Sequence, residues 1–515
     1  MVDRDLVRHA IEAFGSRERL ELERLWAYFR NERGPVPPGI AGVVRQDRPG
    51  RLAQEAGLPA RVVGRSGESD DRWRGRREVV IENDIAWRVQ TMVDFLMGEP
   101  VRLVSESRDA ELGAEIERVL EAVWEASGGI AMLQDAALLG HVYGHVDLVV
   151  RVDEEALLAW PGGGGGDAAG DIAAGAAGAI RIEPVEPVRG VPVVSEADYR
   201  VLDAYAVHAE RELNELEGAD GHGGVGGRSR SGRAFRLFGR EEREASAGRV
   251  GGVRRRRGTV TEVLTPSGGW VEHDGEVIER GERSLLRGVV PVVHVQNLSQ
   301  PFRWGGLGEV EPLVALQDEL NTRLSDRASR VTLQSFKMYL ARRLDGFDPR
   351  LVGPGVVWQS DDPESSIESF GGDASSPSEE RHIEEVREAL DKVSAVPPLA
   401  GGVIRARVGN LSSATALRVT LMGLLAKTRR KRVTYGGGIA RASALVLAAL
   451  DEAGVLRTGA ADRRVRVVWP DPVPGDERSE LAVAGDKVDL GVPRERVLAE
   501  LGYASGSGAA EPGIS

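Results

Sequence analysis

Residues 289–331, VVPVVHVQNLSQPFRWGGLGEVEPLVALQDELNTRLSDRASRV, contain the transition that organises the second half of this chain. The valine-rich segment Val289–Val295 predicts a strand, and the glycines that follow it predict a break. A long helix is then predicted over Glu309–Phe336, with Pro312 in its first turn, where proline is tolerated. The apolar residues of this helix recur at helical spacing and predict one buried face: Val310, Leu313, Leu320, Leu324 and Val331.

The segments after this helix alternate short β-like pieces with further helices. In order, the sequence predicts β-like pieces at 338–344 and 355–360, an acidic helix over Glu379–Val393, a long helix from about Ser412 to Leu450, a strand at Val465–Trp469 and a final helix near Arg494–Leu501. Prolines at 397 and 398 end the acidic helix. Three glycines at 436–438 predict a kink in the long helix.

The segments before residue 289 mix helices with a sheet. Helices are predicted from Ile85 to Gly98, over Ala110–Ala126 and from about Ile130 to Leu139, and strands at Val146–Val152, Ala179–Val188, Arg200–Ala209, Thr259–Thr265 and Trp270–His273. Two low-complexity tracts, at 161–179 and 218–232, are predicted to be flexible Gly-rich insertions between strands. The predicted fold class is therefore α+β.

Composition narrows the possible functions. The chain has 515 residues, a net charge of -13 and no cysteine. At about 150 residues per domain, this length indicates several domains. Because the chain has no cysteine, disulfides, thiolate metal sites and cysteine catalysis are all excluded. A chain this acidic is not drawn to duplex DNA by its overall field, so any nucleic-acid role must be local.

Motifs for catalysis and targeting are missing from the sequence. The glycines at 162–166 lack the Gly-Lys-Ser/Thr of a phosphate-binding loop, and neither a GxSxG nor an HExxH motif occurs. We therefore expect no enzymatic activity, no catalytic residues, no cofactor and no metal. His141, His145 and Asp147 are residue types that can bind a metal ion. They lie around a helix-to-strand transition, however, where no regular helical face would bring them together, so we do not expect a metal site there. Without a signal-peptide core or an apolar run of about 18 residues, we expect a protein that is neither secreted nor membrane-spanning.

Two segments of the second half carry candidate contact residues. The loop Leu399–Asn410 combines glycines, apolar residues and two arginines, a composition that suits a mobile element pressed against another surface. A dense basic cluster at 427–432 lies on the long helix, with Lys427, Arg430 and Lys431 as candidates for a basic contact face. That cluster either faces DNA or an acidic partner, or it forms a salt-bridged helix face against the acidic helix.

Five stretches, taken in order, resemble the portal (head–tail connector) protein of tailed bacteriophages, in particular siphophage-like portals. They are IENDIAWRVQTMVDFLMGEPVRL at 81–103, the segment 289–331 quoted above, SSATALRVTLMGLLAKTRRKR at 412–432, and VRVVWPDPVPGDERSELA at 465–482 followed by LGVPRERVLAELGY at 490–503. The resemblance covers about residues 80–502. The Gly-rich insertions depart from the family, and the first 75 residues match no part of it.

The resemblance implies a domain plan for the chain. Its segments are an N-terminal region at 1–75, a wing at 76–304, a stem helix at 305–336, a clip at 337–376, a second stem helix at 377–396, a tunnel loop at 397–411, a kinked long helix at 412–452 and a C-terminal wing or crown segment with the tail at 453–515. Twelve such subunits are expected to form a ring around a channel.

The family plan also implies a function and partners. The ring is expected at one capsid vertex of the virion, after assembly in the host cytoplasm, where it conducts double-stranded DNA during packaging and ejection. Its expected partners are the terminase large subunit, the head–tail adaptor, and the major capsid and scaffold proteins, with no membrane. An alternative from another class is a non-catalytic intracellular oligomeric scaffold or adaptor without DNA passage.

Individual residues acquire roles from the same plan. The tunnel-loop residues expected in the DNA channel are Val403, Ile404, Arg405, Arg407 and Asn410, with the two arginines as candidates for transient phosphate contacts. The second stem helix would supply the channel wall through Glu380, Glu384, Glu388 and Lys392. An acidic wall of this kind lets DNA slide, because every neutralised phosphate adds affinity through counterion release.

Overall fold

The computed structural model describes most of the chain and shows a mixed α+β fold, which confirms the predicted class. The described residues are 3–33, 52–59, 62, 78–159, 168–216, 253–282, 285–335, 338–342, 363–370, 376–401, 414–473, 477–494 and 497–498.

The first part of the chain places helices around two antiparallel sheets. Its elements are α1 (Arg4–Ser16), α2 (Glu18–Arg30), α3 (Ala53–Ala56), α4 (Asp84–Met97), β1 (Arg102–Ser105), α5 (Ala110–Ala126), α6 (Gly129–Tyr143), β2 (His145–Val152), α7 (Glu154–Leu158), α8 (Ala168–Ala179), β3 (Ile180–Val185), β4 (Gly190–Val194), β5 (Leu202–Leu216), β6 (Val253–Thr265), β7 (Gly268–His273), β8 (Glu276–Glu282) and β9 (Val292–Gln296).

The second part is dominated by long helices. Its elements are a 3-10 turn (Glu311–Leu313), α9 (Val314–Ser335), β10 (Met338–Arg342), β11 (Ser366–Phe370), α10 (Pro377–Ser394), a second 3-10 turn (Pro398–Gly401), α11 (Ala414–Thr420), α12 (Met422–Glu452), β12 (Val465–Val468) and α13 (Glu477–Asp489). Strands β10 and β11 pair with each other, as do β1 and β12.

The sheets connect these helices. A three-stranded sheet has the order β3-β2-β9, and a five-stranded sheet follows the chain from β4 to β8. Strand β2 is valine-rich and buried over nearly its whole length, as expected of a strand that is covered on both faces. Arg151 joins the two sheets, because its guanidinium donates to both carboxylate oxygens of Glu262 at 2.6 and 2.8 Å.

The largest apolar core lies between the first part of the chain and helix α12. Side chains of α5, α6, β2 and β9 pack there against the C-terminal half of α12, including Ile439, Val446 and Leu450. In the described part of the chain α12 alone is long and apolar enough to cross a membrane, with a mean hydropathy of 1.4 over a window that is 50% buried. A helix that runs through a protein core has this same apolar character.

One predicted tract differs from the structure, one helix was not predicted, and two predicted pieces lie mostly or wholly outside the described residues. The tract at 161–179 is not uniformly flexible, since 168–179 form α8, and Ala176 and Ala179 are buried against the core. Alanine is the best helix former, and the glycine content of the tract hid that preference. Helix α13 was not predicted, and most of the predicted helix at 494–501 lies outside the described residues. The predicted piece at 355–360 also lies outside them.

The predicted kink at the glycines of the long helix stays a prediction, but the glycines do not interrupt the helix. Helix α12 continues through residues 436–438, and the irregular position is Leu421, between α11 and α12. One of these glycines serves close packing: Gly438 lies against Val295, and a Cβ at that position would overlap its side chain. The division into wing, stem, clip and tunnel loop remains a prediction.

Candidate functional site

The two predicted stem helices, α9 and α10, pack against each other in antiparallel directions. Leu313 and Leu320 share one apolar cluster with Ile383, Val386 and Leu390 of α10. At the edge of the pair, His382 lies 3.0 Å from Glu319, and Arg330 pairs with Glu379 near the start of α10. One face of α10 is thus fixed to α9.

The opposite face of α10 carries the predicted channel-wall residues. Glu380, Glu384, Glu388 and Lys392 recur every four residues, and all four are exposed. Residues at this spacing follow one side of a helix, so the structure brings the four together in a single stripe. Three carboxylates stand in a row along about two turns of helix, and the lysine lies in the last turn.

Arg88 of α4 fixes the C-terminal end of α10. Its guanidinium is buried and donates to the Asp84 carboxylate at 2.8 Å and the Asp391 carboxylate at 2.7 Å. It also donates to the Ser394 hydroxyl at 2.9 Å and to the Val396 carbonyl at 2.7 Å. The planar fork of arginine suits this task, because it directs several donors to separate acceptors at once. No local sequence pattern indicates this role of Arg88.

The glycine break before α9 is held against the end of α6. The Glu309 backbone N–H donates to the His141 carbonyl at 2.7 Å, and the Asn297 N–H donates to the Gly144 carbonyl at 2.8 Å. Gly306 and Gly144 approach so closely that a Cβ on either would overlap backbone atoms of the other segment. Glycine is required at this crossing because it has no side chain to separate the two segments.

A buried ionic cluster connects this break to the long helix. The Glu309 carboxylate lies 2.5 Å from Lys427 Nζ and 2.7 Å from Lys431 Nζ, and Lys431 and Glu309 are each 2% exposed. Burial alone would raise the pKa of Glu309, but the two lysines outweigh it and hold the pKa at about 2. Burial lowers the pKa of Lys431 to about 8 despite the attraction of Glu309. Burial, with a smaller contribution from Lys431, lowers the pKa of His141 to about 3.

This cluster corrects the predicted basic contact face. Of Lys427, Arg430 and Lys431, only Arg430 is exposed, because the two lysines turn inward to Glu309. A salt-bridged helix face was the second interpretation of the sequence, but the partner is Glu309 rather than the acidic helix α10. The spacing of the two lysines could have predicted that they turn inward, because they are four residues apart and share the apolar face of Leu424 and Tyr435.

The predicted tunnel-loop residues Val403, Ile404, Arg405, Arg407 and Asn410 lie outside the described residues. The described chain reaches Gly401, which packs directly on the Trp87 indole of α4. The described residues resume at Ala414, where α11 begins. In the last turn of this helix, Arg418 pairs with Asp471 at 2.7 Å.

A second buried polar cluster consists of Asp147, His294 and Tyr205, of which His294 and Tyr205 were not predicted from the sequence. Asp147 Oδ1 lies 2.7 Å from His294 Nδ1, and the Tyr205 hydroxyl donates to Asp147 Oδ2 at 2.8 Å. His294 Nε2 lies 2.6 Å from the Trp304 carbonyl, so both ring nitrogens must carry hydrogen for both hydrogen bonds to form. Burial would raise the pKa of Asp147, but His294 outweighs it and lowers the pKa.

This polar cluster joins the sheet to the segment before the glycine break. The pairing of β2 with β9 sets His294 opposite Asp147, so the sheet register positions the pair. His145 lies beside His294, with ring centroids 5.3 Å apart, whereas His141 belongs to the Glu309 cluster. Among the described residues, no group of three or more His, Asp or Glu side chains is placed to hold a metal ion.

Comparisons with known proteins gave matches among solved structures alone. No family model matches the sequence, and no curated protein matches it. The chain is similar to a structure described as "Neck of empty GTA particle computed with C6 symmetry", with 12% identity, a TM-score of 0.43 and coverage of 82% of this chain and 90% of that chain. It is also similar to "Virion of native gene transfer agent (GTA) particle", with 13% identity, a TM-score of 0.40 and the same two coverages.

Proposed function

We propose that this protein is a portal-type ring subunit, a structural conduit for double-stranded DNA at one vertex of a phage-like capsid. The observation that carries the proposal is the acidic stripe of α10, which is exposed on one side and fixed to α9 and Arg88 on the other. The sequence resemblance to portal proteins supplies the ring and the order of the elements. The proposed activity is mechanical, without catalysis and without a cofactor.

The charge of the stripe suits a channel through which DNA must move. A basic wall would release counterions from many phosphates and hold the duplex, with affinity that rises steeply for each contact. Carboxylates at 380, 384 and 388 repel the duplex instead, and Lys392 is the sole cation of the stripe. Transient phosphate contacts are assigned to Arg405 and Arg407 of the loop that follows α10.

The proposed partners follow from a position between the capsid and the tail. The ring would contact the major capsid and scaffold proteins during assembly, the terminase large subunit during packaging and a head–tail adaptor afterwards. The proposed location is the virion, after assembly in the host cytoplasm. None of these contacts requires a membrane.

Negative-stain electron microscopy of the purified protein, with mass measured in parallel, tests the ring. We expect closed rings of about a dozen subunits around a central hole. A monomer or dimer, across a range of salt and protein concentrations and also with the scaffold protein present, would count against the proposal.

Substitution of both loop arginines tests DNA passage separately. In particles assembled with Arg405→Ala/Arg407→Ala, we expect intact rings but less packaged DNA per particle. Arg457→Ala is the control, because Arg457 is an exposed arginine outside both the loop and α10. Normal DNA content in the double variant, in rings that otherwise assemble, would count against the assignment of transient phosphate contacts to these two arginines.

A further inference from the structure

Helices α11 and α12 present an apolar seam to solvent. Val419, Met422 and Val433 expose 65%, 66% and 75% of their surface. Together with the exposed residues Ala426 and Arg429, they follow the alternating three- and four-residue spacing of a helix–helix seam. Backbone hydrogen bonds from Leu421 to Leu417 and from Leu425 to Leu421, at 3.0 and 2.9 Å, carry the helical path across the irregular position. The seam is therefore continuous over about four turns.

Helix α13 is a second apolar element that lacks a full partner. Among the described side chains 481–490, only Ala484 is buried. Leu481 and Val488 remain 57% and 38% exposed, and Leu490, just after the helix, is 85% exposed. Leu481 and Val488 lie seven residues apart, on the same side of α13. A short helix with so little buried surface is marginal by itself in water, which favours a docked state.

The charges of the two surfaces are opposite. Arg429, within the seam of α12, and Arg430, beside it, are both exposed. The α13 sequence contains four acidic residues, Glu477, Glu480, Asp486 and Asp489, against two basic residues. Two copies of the α12 seam facing each other would bring arginines together, whereas α13 brings carboxylates to them.

We infer that the α11–α12 seam binds helix α13 of a second copy of this chain. Within one copy the two surfaces do not cover each other, since both stay exposed. The contact joins two different surfaces, so it is head-to-tail, and head-to-tail contacts close into rings when the rotation allows. The inference rests on the proposed ring and names one of its subunit contacts.

Cross-linking tests the contact directly, because the natural chain has no cysteine. Val433→Cys chains and Val488→Cys chains are mixed before assembly and treated with a short bis-maleimide. A 433–488 link in this mixture joins two copies by necessity, and we expect it as the main product. Val201→Cys is the control, since Val201 is 51% exposed and lies outside the seam. No 433–488 product, or a yield equal to the control, would overturn the inference, as would a dominant 433–433 link.

Charged substitutions give a second measurement. Met422→Asp/Val433→Asp changes two exposed side chains, so we expect an unchanged melting temperature of the monomer. The apparent dissociation constant of assembly should rise by about tenfold or more, as for loss of apolar anchors at an interface. Rings that form as readily in this variant would overturn the contact and leave the proposed function intact. A wild-type chain without rings would instead count against the proposed function, and the cross-link would then decide the contact alone.

Discussion

At the scale of single residues, Glu309 shows how a buried charge depends on its partners. It is a buried carboxylate between two lysines, and it stands where the glycine break meets the long helix. Removal of one partner from a buried ion pair leaves the other charge without compensation, which costs more than the pair itself contributes. The cluster therefore fixes geometry, and its stability depends on all members being present.

The first prediction concerns this cluster. Glu309→Gln should lower the free energy of unfolding by about 3–5 kcal/mol, because Lys431 is then a buried charge without a carboxylate. Chemical denaturation measures the loss. Adding Lys431→Met should recover most of it, and Arg430→Gln, an exposed neighbour, should change stability by no more than about 0.5 kcal/mol. A loss in Glu309→Gln as small as that in Arg430→Gln would refute the assignment.

The second prediction concerns acid stability. The pKa of His141 falls to about 3 in the folded chain, so between pH 3 and its ordinary value of 6.5 the unfolded chain binds the extra proton. Stability must then rise with pH across this interval, by about 1.4 kcal/mol per pH unit for one proton. His141→Gln should reduce that slope by about one proton, as measured by denaturation at several pH values. Equal slopes in the wild-type protein and the His141→Gln variant would exclude His141 as the source.

At the scale of elements, the glycines of α12 show how packing decides what a residue does. Gly437 faces open space, whereas its neighbour Gly438 lies against Val295 of β9. The sequence presents the two as equivalent members of one run. The difference between them arises only when the helix is placed on the sheet.

The third prediction uses this pair. Gly437→Ala should stabilise the protein by about 1 kcal/mol, because alanine is the better residue in an exposed helix interior. Gly438→Ala should destabilise it by about 1–3 kcal/mol, because the new methyl group overlaps the Val295 side chain. Each variant is the matched control for the other, and thermal or chemical denaturation compares them. The same sign of change in both would contradict the packing of α12 on β9.

Periodicity predicted most elements, because helical and strand patterns are local. The apolar faces of α4 and α5 and the valine-rich strand β2 lie where the apolar spacing places them. On α9 the prediction is correct for Leu320 but wrong for Val331, which is 38% exposed. Long-range partners are not encoded in local spacing, so the Arg88 contacts, the Asp147–His294 pair and the inward turn of Lys427 and Lys431 were missed. Within the candidate site, the acidic stripe of α10 was predicted as a surface, while its fixed opposite side was not.

At the scale of the whole molecule, charge is distributed by surface. The stripe of α10 is acidic, and the seam of α12 is apolar with basic neighbours. The net charge of -13 is a sum over the whole chain and therefore does not give the charge of any single surface. What a partner meets depends on which helix it approaches.

The fourth prediction tests the acidic stripe in the assembled protein. Glu380→Lys/Glu384→Lys/Glu388→Lys should leave the ring mass unchanged but raise its affinity for duplex DNA and steepen the salt dependence of binding. Fluorescence anisotropy over a series of salt concentrations measures both. Glu276→Lys/Glu279→Lys/Glu282→Lys on β8 is the control, since it changes the net charge equally on exposed residues elsewhere. An equal effect of the two triple variants would remove the special role of α10.

The contacts of Arg88 have a mechanical consequence. Tension on the chain beyond Val396 would load three short hydrogen bonds to one guanidinium together, those to Asp391, Ser394 and Val396, before it could separate α10 from α9. Bonds loaded in parallel share a force, whereas bonds that open one after another do not. Helices α4, α9 and α10 should therefore move together as one rigid unit under tension, with Arg88 holding the C-terminal end of α10 to α4.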